Sequence, residues 1–411
     1  MSAADALACR FCGAPLEQTF ADLGMTPLAN SYVPLADAGK ADRLLPLHAR
    51  VCGKCLLVQL PQVETREAIF SDYAYFSSYS DSWLEHCRSY AESVARRFAI
   101  GAGSQVVEVA SNDGYLLQYF RMAGIPVLGV EPAANVARAA EARGVRTKVA
   151  FFGADTARAL VAEGHAADLA VANNVLAHVP DINDFVDGFR ILLKPRGVLT
   201  VEFPSLEPMI AGGEFDTIYH EHFSYLCLLT AKRIFAAHGL DVFDVDRLAT
   251  HGGSLRVYAC HAGTRPVEAA VGRVLADESA AGLDRIETYR AFAAMPPRAK
   301  QAVRDFLQRA KREGKRVAGY GAPAKGNTLL NYCGVDASLI EFTVDRNPHK
   351  QDRLLPGSRI PVRAPDALRA AKPDYVFILP WNLRDEISSQ IAYIRDWGGK
   401  FVVPIPRLTV F

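Results

Sequence analysis

With 411 residues, half of them hydrophobic and 22% charged, the chain is long enough for two or three domains with substantial cores. A formal net charge of +1 removes the electrostatic case for nucleic acid or an anionic membrane surface as a partner. The opening MSAADALACRFCG lacks the basic start and apolar run of a signal peptide, and no stretch approaches about 18 uninterrupted apolar residues, so a cytoplasmic protein with no membrane partner is expected.

The first zone, residues 1–75, holds two tight cysteine pairs, Cys9/Cys12 and Cys52/Cys55. It would have difficulty burying enough apolar area alone, and a structural metal resolves that. Four soft thiolates on two knuckles suit tetrahedral Zn2+, and a closed four-ligand shell leaves no open position for catalysis. Gly13 and Gly53 are expected to supply the turn flexibility beside each pair. The remaining cysteines, Cys87, Cys227, Cys260 and Cys333, stand singly among apolar neighbours and read as buried thiols.

The second zone, 76–263, alternates short apolar runs with helical stretches. A helix over 82–98 leads into a strand at 105–110, a glycine-bearing turn, a helix over 115–123 and a strand at 126–130. A helix over 136–143, a strand at 168–172, a helix over 181–193 and a strand at 197–203 follow. This alternation is the signature of a doubly wound, mostly parallel α/β sheet, which the runs 240–245 and 253–260 can close as a hairpin-like pair. The third zone, 264–411, opens with a charged, Ala-rich helical region over 266–313. It continues with strands near 316–321, 340–344 and 375–379 and a helix over 326–332, which reads as a second, smaller Rossmann-like α/β domain.

Three places carry chemistry. The first is the strand-to-helix segment Val106-Val-Glu-Val-Ala-Ser-Asn-Asp-Gly-Tyr, with Glu108, Ala110, Asn112 and Gly114 as cofactor-binding candidates. Glu131, followed by Pro132, ends the next strand where an acid would hold both ribose hydroxyls; Asn173 and Asn174 end the following one. No G-x-G-x-x-G pattern is present to cradle the pyrophosphate of a dinucleotide. The second place is Phe215-Asp-Thr-Ile-Tyr-His-Glu-His-Phe-Ser-Tyr, which combines a base near neutral pH, a carboxylate and phenols. On a strand, His220 and His222 would point to one side, but two nitrogens make an incomplete metal site. The third is Gly319-Tyr-Gly-Ala-Pro-Ala-Lys-Gly-Asn, again joining strand to helix, with Tyr320, Lys325 and Asn327 as substrate-binding candidates and Asp345 after the next strand.

In combination these motifs, with Leu28-Ala-Asn-Ser-Tyr between the cysteine pairs and Tyr75-Phe-Ser-Ser-Tyr-Ser, resemble the nucleotide-sugar C-methyltransferases over nearly the whole chain. The resemblance implies three domains: a zinc-binding domain (1–75), a class I S-adenosylmethionine-dependent methyltransferase core (76–263) and a C-terminal Rossmann-like substrate-binding domain (264–411). It implies S-adenosylmethionine as cofactor, structural zinc, no catalytic metal, and a nucleotide-linked 4-keto-deoxysugar as substrate, methylated at C3. It maps catalysis onto Tyr219, Glu221 and His222, with His178 and a tyrosine of the 73–79 segment nearby: Tyr73 is assigned to catalysis, Tyr79 to the cofactor and His220 to the substrate. A monomer is expected. Rival readings are an O- or N-methyltransferase on a related sugar, an NAD-dependent epimerase or dehydrogenase using the third zone, and an inactive binding protein that keeps the cofactor fold.

Overall fold

The computed structural model describes residues 7–65, 77–79 and 81–411. Tyr73 lies outside the described residues, and of Tyr79 only the backbone, in the short turn Ser77–Tyr79, is described. The chain forms two compact units, each assembled from separated stretches. The first comprises Met1–Leu16, Cys52–Leu206 and Phe223–Asp284; the second comprises Glu17–Val51, Glu207–His222 and Arg285–Phe411.

A seven-stranded sheet organises the first unit. Its order is Leu240–Leu248, Ser254–His261, Leu193–Pro204, Ala167–Asn173, Val106–Val109, Val127–Glu131, Thr147–Val149. All strands run parallel except Ser254–His261, which pairs antiparallel with both neighbours. Counted along the chain the order is 3-2-1-4-5-7-6, the class I methyltransferase arrangement that the sequence led us to expect. The central strands VVEV and ADLAVAN are buried nearly throughout, because helices cover both faces of a parallel sheet. Helix Ile182–Leu192 shows how the sequence places one: the Asp181 side chain caps the Asp184 N–H at 3.0 Å, and Ile182, Phe185, Val186 and Phe189 turn one apolar stripe to the core. Strand Thr147–Val149 and helix Ala154–Ala162 were not anticipated from the sequence. The order reverses between Val106–Val109 and Ala167–Asn173, so the crevice at their carboxyl ends is where such a sheet binds ligands.

The second unit contains an eight-stranded sheet. Its parallel centre runs Lys400–Val403, Tyr375–Ile378, Val317–Tyr320, Thr343–Val344, Pro361–Arg363, with antiparallel strands at both edges, among them Val33–Pro34. This is the second Rossmann-like domain. The segment between the cysteine pairs contributes an antiparallel pair, Gln18–Thr26 with Leu45–Val51, and Phe20 stacks on Phe292 at 4.3 Å. The Ala-rich region resolves into three helices, Ala269–Ala280, Ile286–Phe292 and Met295–Arg312. Among the described residues no helix is long and apolar enough to cross a membrane.

Gly114 illustrates how tightly the first strand–helix turn is set. Its φ is +78°, and a Cβ there would meet Val145 Cγ2 at 3.0 Å. Gly114→Ala is therefore expected to destabilise the protein by about 1–3 kcal/mol, read as a lowered midpoint in chemical denaturation.

Candidate functional site

The structure brings the four paired cysteines together. Cys9 Sγ lies 3.6 Å from Cys55 Sγ and Cys12 Sγ lies 3.5 Å from Cys52 Sγ, with all four sulfurs within 4.8 Å of one another. Zn–S bonds of about 2.3 Å at tetrahedral angles separate sulfurs by roughly 3.8 Å, so the set fits zinc. Gly13 takes the left-handed conformation after the first pair (φ +71°), but Leu56 (φ +66°), and not Gly53, does so after the second. The sequence placed the backbone freedom at the second knuckle three residues too early. Gln59 supports the set by donating from Nε2 to Cys9 Sγ at 3.1 Å while its Oε1 accepts the Arg10 N–H at 2.9 Å. Among the described residues this is the group of potential ligands close enough to hold a metal ion.

The turn after Val106–Val109 folds back sharply. Ala110 (φ +55°), Asn112 (φ +49°) and Gly114 (φ +78°) all adopt left-handed backbone, which brings bare main chain to the sheet edge. Glu131 is held by the turn itself: its oxygens accept from the N–H groups of Asn112 at 3.0 Å and Ala133 at 2.9 Å. Each oxygen keeps a second lone pair, enough to accept from a ribose hydroxyl. Pro132 follows, half-buried. Glu108 is fully buried, with the Tyr115 hydroxyl beside it. Burial pushes its pKa well above the usual carboxylate range, with Glu131 and Asp113 adding to that and Tyr115 opposing it. Such a group suits a cationic partner, and the ammonium of S-adenosylmethionine is one. The Oδ1 atoms of Asn173 and Asn174 are unpartnered among the described residues. The side chain of Asn112 is engaged on its other side, where Oδ1 accepts the Ser77 N–H at 2.9 Å and ties the Ser77–Tyr79 segment to this turn. His178 ends the short helix Leu176–His178 beyond the next strand.

The polar-aromatic cluster belongs to the second unit. It is a tight turn, not a strand: the His222 N–H bonds the Tyr219 carbonyl at 2.9 Å. Alternation therefore does not apply, and the two histidines part. His220 is 4% exposed, and burial lowers its pKa, opposed by the backbone of Pro46 and Leu45. His222 is half-buried, lies against the Tyr219 ring at 3.9 Å, and its Nδ1 meets the Thr217 carbonyl at 2.9 Å. A carbonyl only accepts, so Nδ1 carries the proton and the basic lone pair belongs to Nε2. Glu221 is 6% exposed, and its Oε1 accepts from Asn30 Nδ2 at 2.7 Å. Burial raises its pKa to about 7, with Asn30 and Lys350 opposing. The turn is held from below: Thr328 Oγ1 donates to the Ile218 carbonyl at 3.1 Å, and Trp381 Nε1 donates to buried Asp216 at 2.8 Å.

The C-terminal strand–turn–helix uses its own polar groups. Lys325 is bonded to Asn382 and lies over the Trp381 ring at 4.2 Å. Asn327 donates to the Ala29 carbonyl at 2.6 Å, and the Tyr320 hydroxyl donates to Gln390 at 3.3 Å. Asp345 accepts from Ala322 N–H at 2.7 Å and Asn347 N–H at 2.8 Å. The Ala322 N–H is thus occupied, and Pro323 has none to offer. Sequence reasoning gave no role to Asn30, Asp216, Lys350 or Trp381. Only the Leu28–Tyr32 motif marked the neighbourhood of the first.

Family models match as a zinc-binding domain over residues 9–70, a methyltransferase domain over 82–245 and a C-methyltransferase C-terminal domain over 249–406. The C-methyltransferase NovU of Streptomyces niveus is 38% identical over 400 residues, covering 97% of this chain and 95% of its own. A ubiquinone biosynthesis O-methyltransferase of Rhodopseudomonas palustris is 24% identical over 119 residues, 28% of this chain and 47% of its own. Among solved structures, the CcbJ methyltransferase of Streptomyces caelestis shares 16% identity over 43% of this chain and 90% of its own, with a TM-score of 0.35, too slight a likeness to carry an argument.

Two outcomes are expected. Cys12→Ser lowers the bound zinc below one ion per chain and lowers the melting temperature, measured by elemental analysis and thermal scanning. Glu221 binds its proton more tightly folded than unfolded, so its contribution to stability is present at low pH and lost as pH rises from the ordinary 4.5 through about 7. Glu221→Gln is accordingly expected to raise stability at pH 8 by on the order of 1–3 kcal/mol and to leave it nearly unchanged at pH 4. Denaturation at the two pH values checks this, and an equal effect at both would refute the assignment.

Proposed function

The chain belongs to the C-methyltransferase family, and on that premise we propose that its acceptor is a nucleotide-linked 4-keto-deoxysugar, methylated at C3 beside the ketone. The observation that carries this reading is the tautomer of His222, fixed by the Thr217 carbonyl, in a turn that also presents Tyr219 and Glu221. Carbon methylation needs a base that a hydroxyl or amine acceptor needs less, because a C–H is acidic only beside a carbonyl.

His222 Nε2 removes the proton from the carbon next to the ketone. The charge that develops on the ketone oxygen is met by the Tyr219 hydroxyl or by His178, and Glu221, protonated over part of the neutral range, orients or polarises. S-adenosylmethionine, when bound, supplies an electrophilic methyl group on a sulfonium that leaves as a neutral thioether. Glu131 serves its ribose, Glu108 its ammonium, and the left-handed turn 110–114 lets the main chain approach closely. Asn173, Asn174, Pro132 and Tyr79 complete the set assigned to it. The zinc thiolates take no part in the chemistry. Lys325, Asn327, Tyr320 and His220 remain assigned to the substrate, and the protein is expected to act as a monomer in the pathway that builds deoxysugars.

Mass spectrometry of reactions with S-adenosylmethionine and dTDP-, CDP- or GDP-linked 4-keto-deoxysugars tests the acceptor. A methyl mass gain with C–CH3 connectivity is expected. In the same assay His222→Asn should lower turnover by about 100-fold or more while cofactor binding, measured by calorimetry, is unchanged. Turnover near the parent value would remove His222 from the role of base.

A further inference from the structure

The stretch Leu28-Ala-Asn-Ser-Tyr is singled out by the sequence yet has no part in the chemistry above. In the second unit it is fastened at both ends of a tight bend. The Ala29 carbonyl accepts from buried Asn327 at 2.6 Å, and the Tyr32 hydroxyl donates to the Ala322 carbonyl. Within the bend, the Ser31 N–H bonds the Leu28 carbonyl at 3.2 Å and the Tyr32 N–H bonds the Asn30 carbonyl at 3.0 Å. Lys350 braces the same point, donating from Nζ to the Ala322 carbonyl at 2.9 Å and standing 5.4 Å from the Tyr32 ring. Ala322 is itself pinned by Asp345. The result is that the Asn30 amide, although exposed, is carried on a rigid bend whose contacts all come from the strand–turn–helix 317–333 and its neighbours.

That amide reaches one functional group, Oε1 of Glu221, at 2.7 Å. We propose that Asn30 is a positioning residue for the methyl-transfer reaction, holding the Glu221 carboxyl in one orientation through its Nδ2–H···Oε1 bond. The proposal rests on Glu221 belonging to the active site. Two physical consequences follow. An N–H donor on Oε1 favours the proton on Oε2 when Glu221 is protonated, so the carboxyl presents the same oxygen as a donor in each catalytic cycle. A carboxylate fixed from behind also loses little rotamer entropy when substrate arrives, which is how outer partners of a reactive group raise its effectiveness without touching the reactants. Asn30 serves this better than a cation would, because it donates to the carboxyl without adding a charge to a buried site. A lysine or arginine there would hold Glu221 ionised.

A double-mutant cycle on the full-length protein tests this, with Asn30→Ala, Glu221→Gln and the pair, each assayed for kcat and KM on the methyl acceptor. Asn30→Ala is expected to lower kcat by roughly 10–100-fold, to leave KM within a factor of about three, and to add nothing further in the Glu221→Gln background. Asn30→Leu, close to it in size and without any donor, should reproduce the loss. It keeps the test open if the alanine variant fails to fold. Additive losses in the pair, or full kcat in Asn30→Leu, would overturn the inference and leave the assignment of Glu221 standing. Full activity in Glu221→Gln alone would overturn both, and so separates failure of the underlying reading from failure of this one.

Discussion

The Thr217 carbonyl oxygen can only accept a hydrogen bond, and it lies 2.9 Å from Nδ1 of His222. The tautomer of the imidazole follows from that contact. The contact is kept in place by neighbours that have no chemistry of their own to perform. Asp216, next to Thr217, is clamped by the Trp381 indole, and Ile218 on the other side is clamped by Thr328. A backbone carbonyl cannot be mutated away, so this arrangement sets the histidine tautomer with a group that sequence change cannot easily remove.

The two units solve different problems with related sheets. In the first, three left-handed positions within five residues compress the turn so that backbone, with little side chain in the way, forms the carboxyl edge. Ala110 carries that strain where a glycine would not, which identifies it as a position held by its surroundings. In the second unit the corresponding turn is closed by Asp345 on Ala322 and by Lys325 on Asn382 and Trp381.

Much of this was legible from the residues. The apolar runs at 106–109, 168–172 and 197–203 announced a parallel sheet, and the doubled Cys-x-x-Cys spacing announced a tetrahedral thiolate set. Strand Thr147–Val149 escaped because it is three residues long and ends on an exposed valine, which leaves no periodicity to read. The Tyr-His-Glu-His cluster was visible as composition, but its turn was not, since nothing in Tyr-His-Glu-His distinguishes an i to i+3 bend from a strand. Asn30 and Thr217 were out of reach for a deeper reason. One acts on a carboxyl 191 positions away and the other acts through its backbone, and neither kind of relation leaves a local mark on the sequence.

The second unit is discontinuous, made of 17–51, 207–222 and 285–411. On a ribosome emitting the chain from its N-terminus, the consecutive parallel strands of the first sheet up to residue 204 have their partners early. The segment 207–222 has to wait: Asp216 meets Trp381 only after 165 further residues have been made, and Ile218 meets Thr328 after 110. Long loops of this kind close late and slowly. A chain that stops short of its C-terminus therefore lacks the partners that hold the turn around residues 216–218, whatever the state of the first sheet.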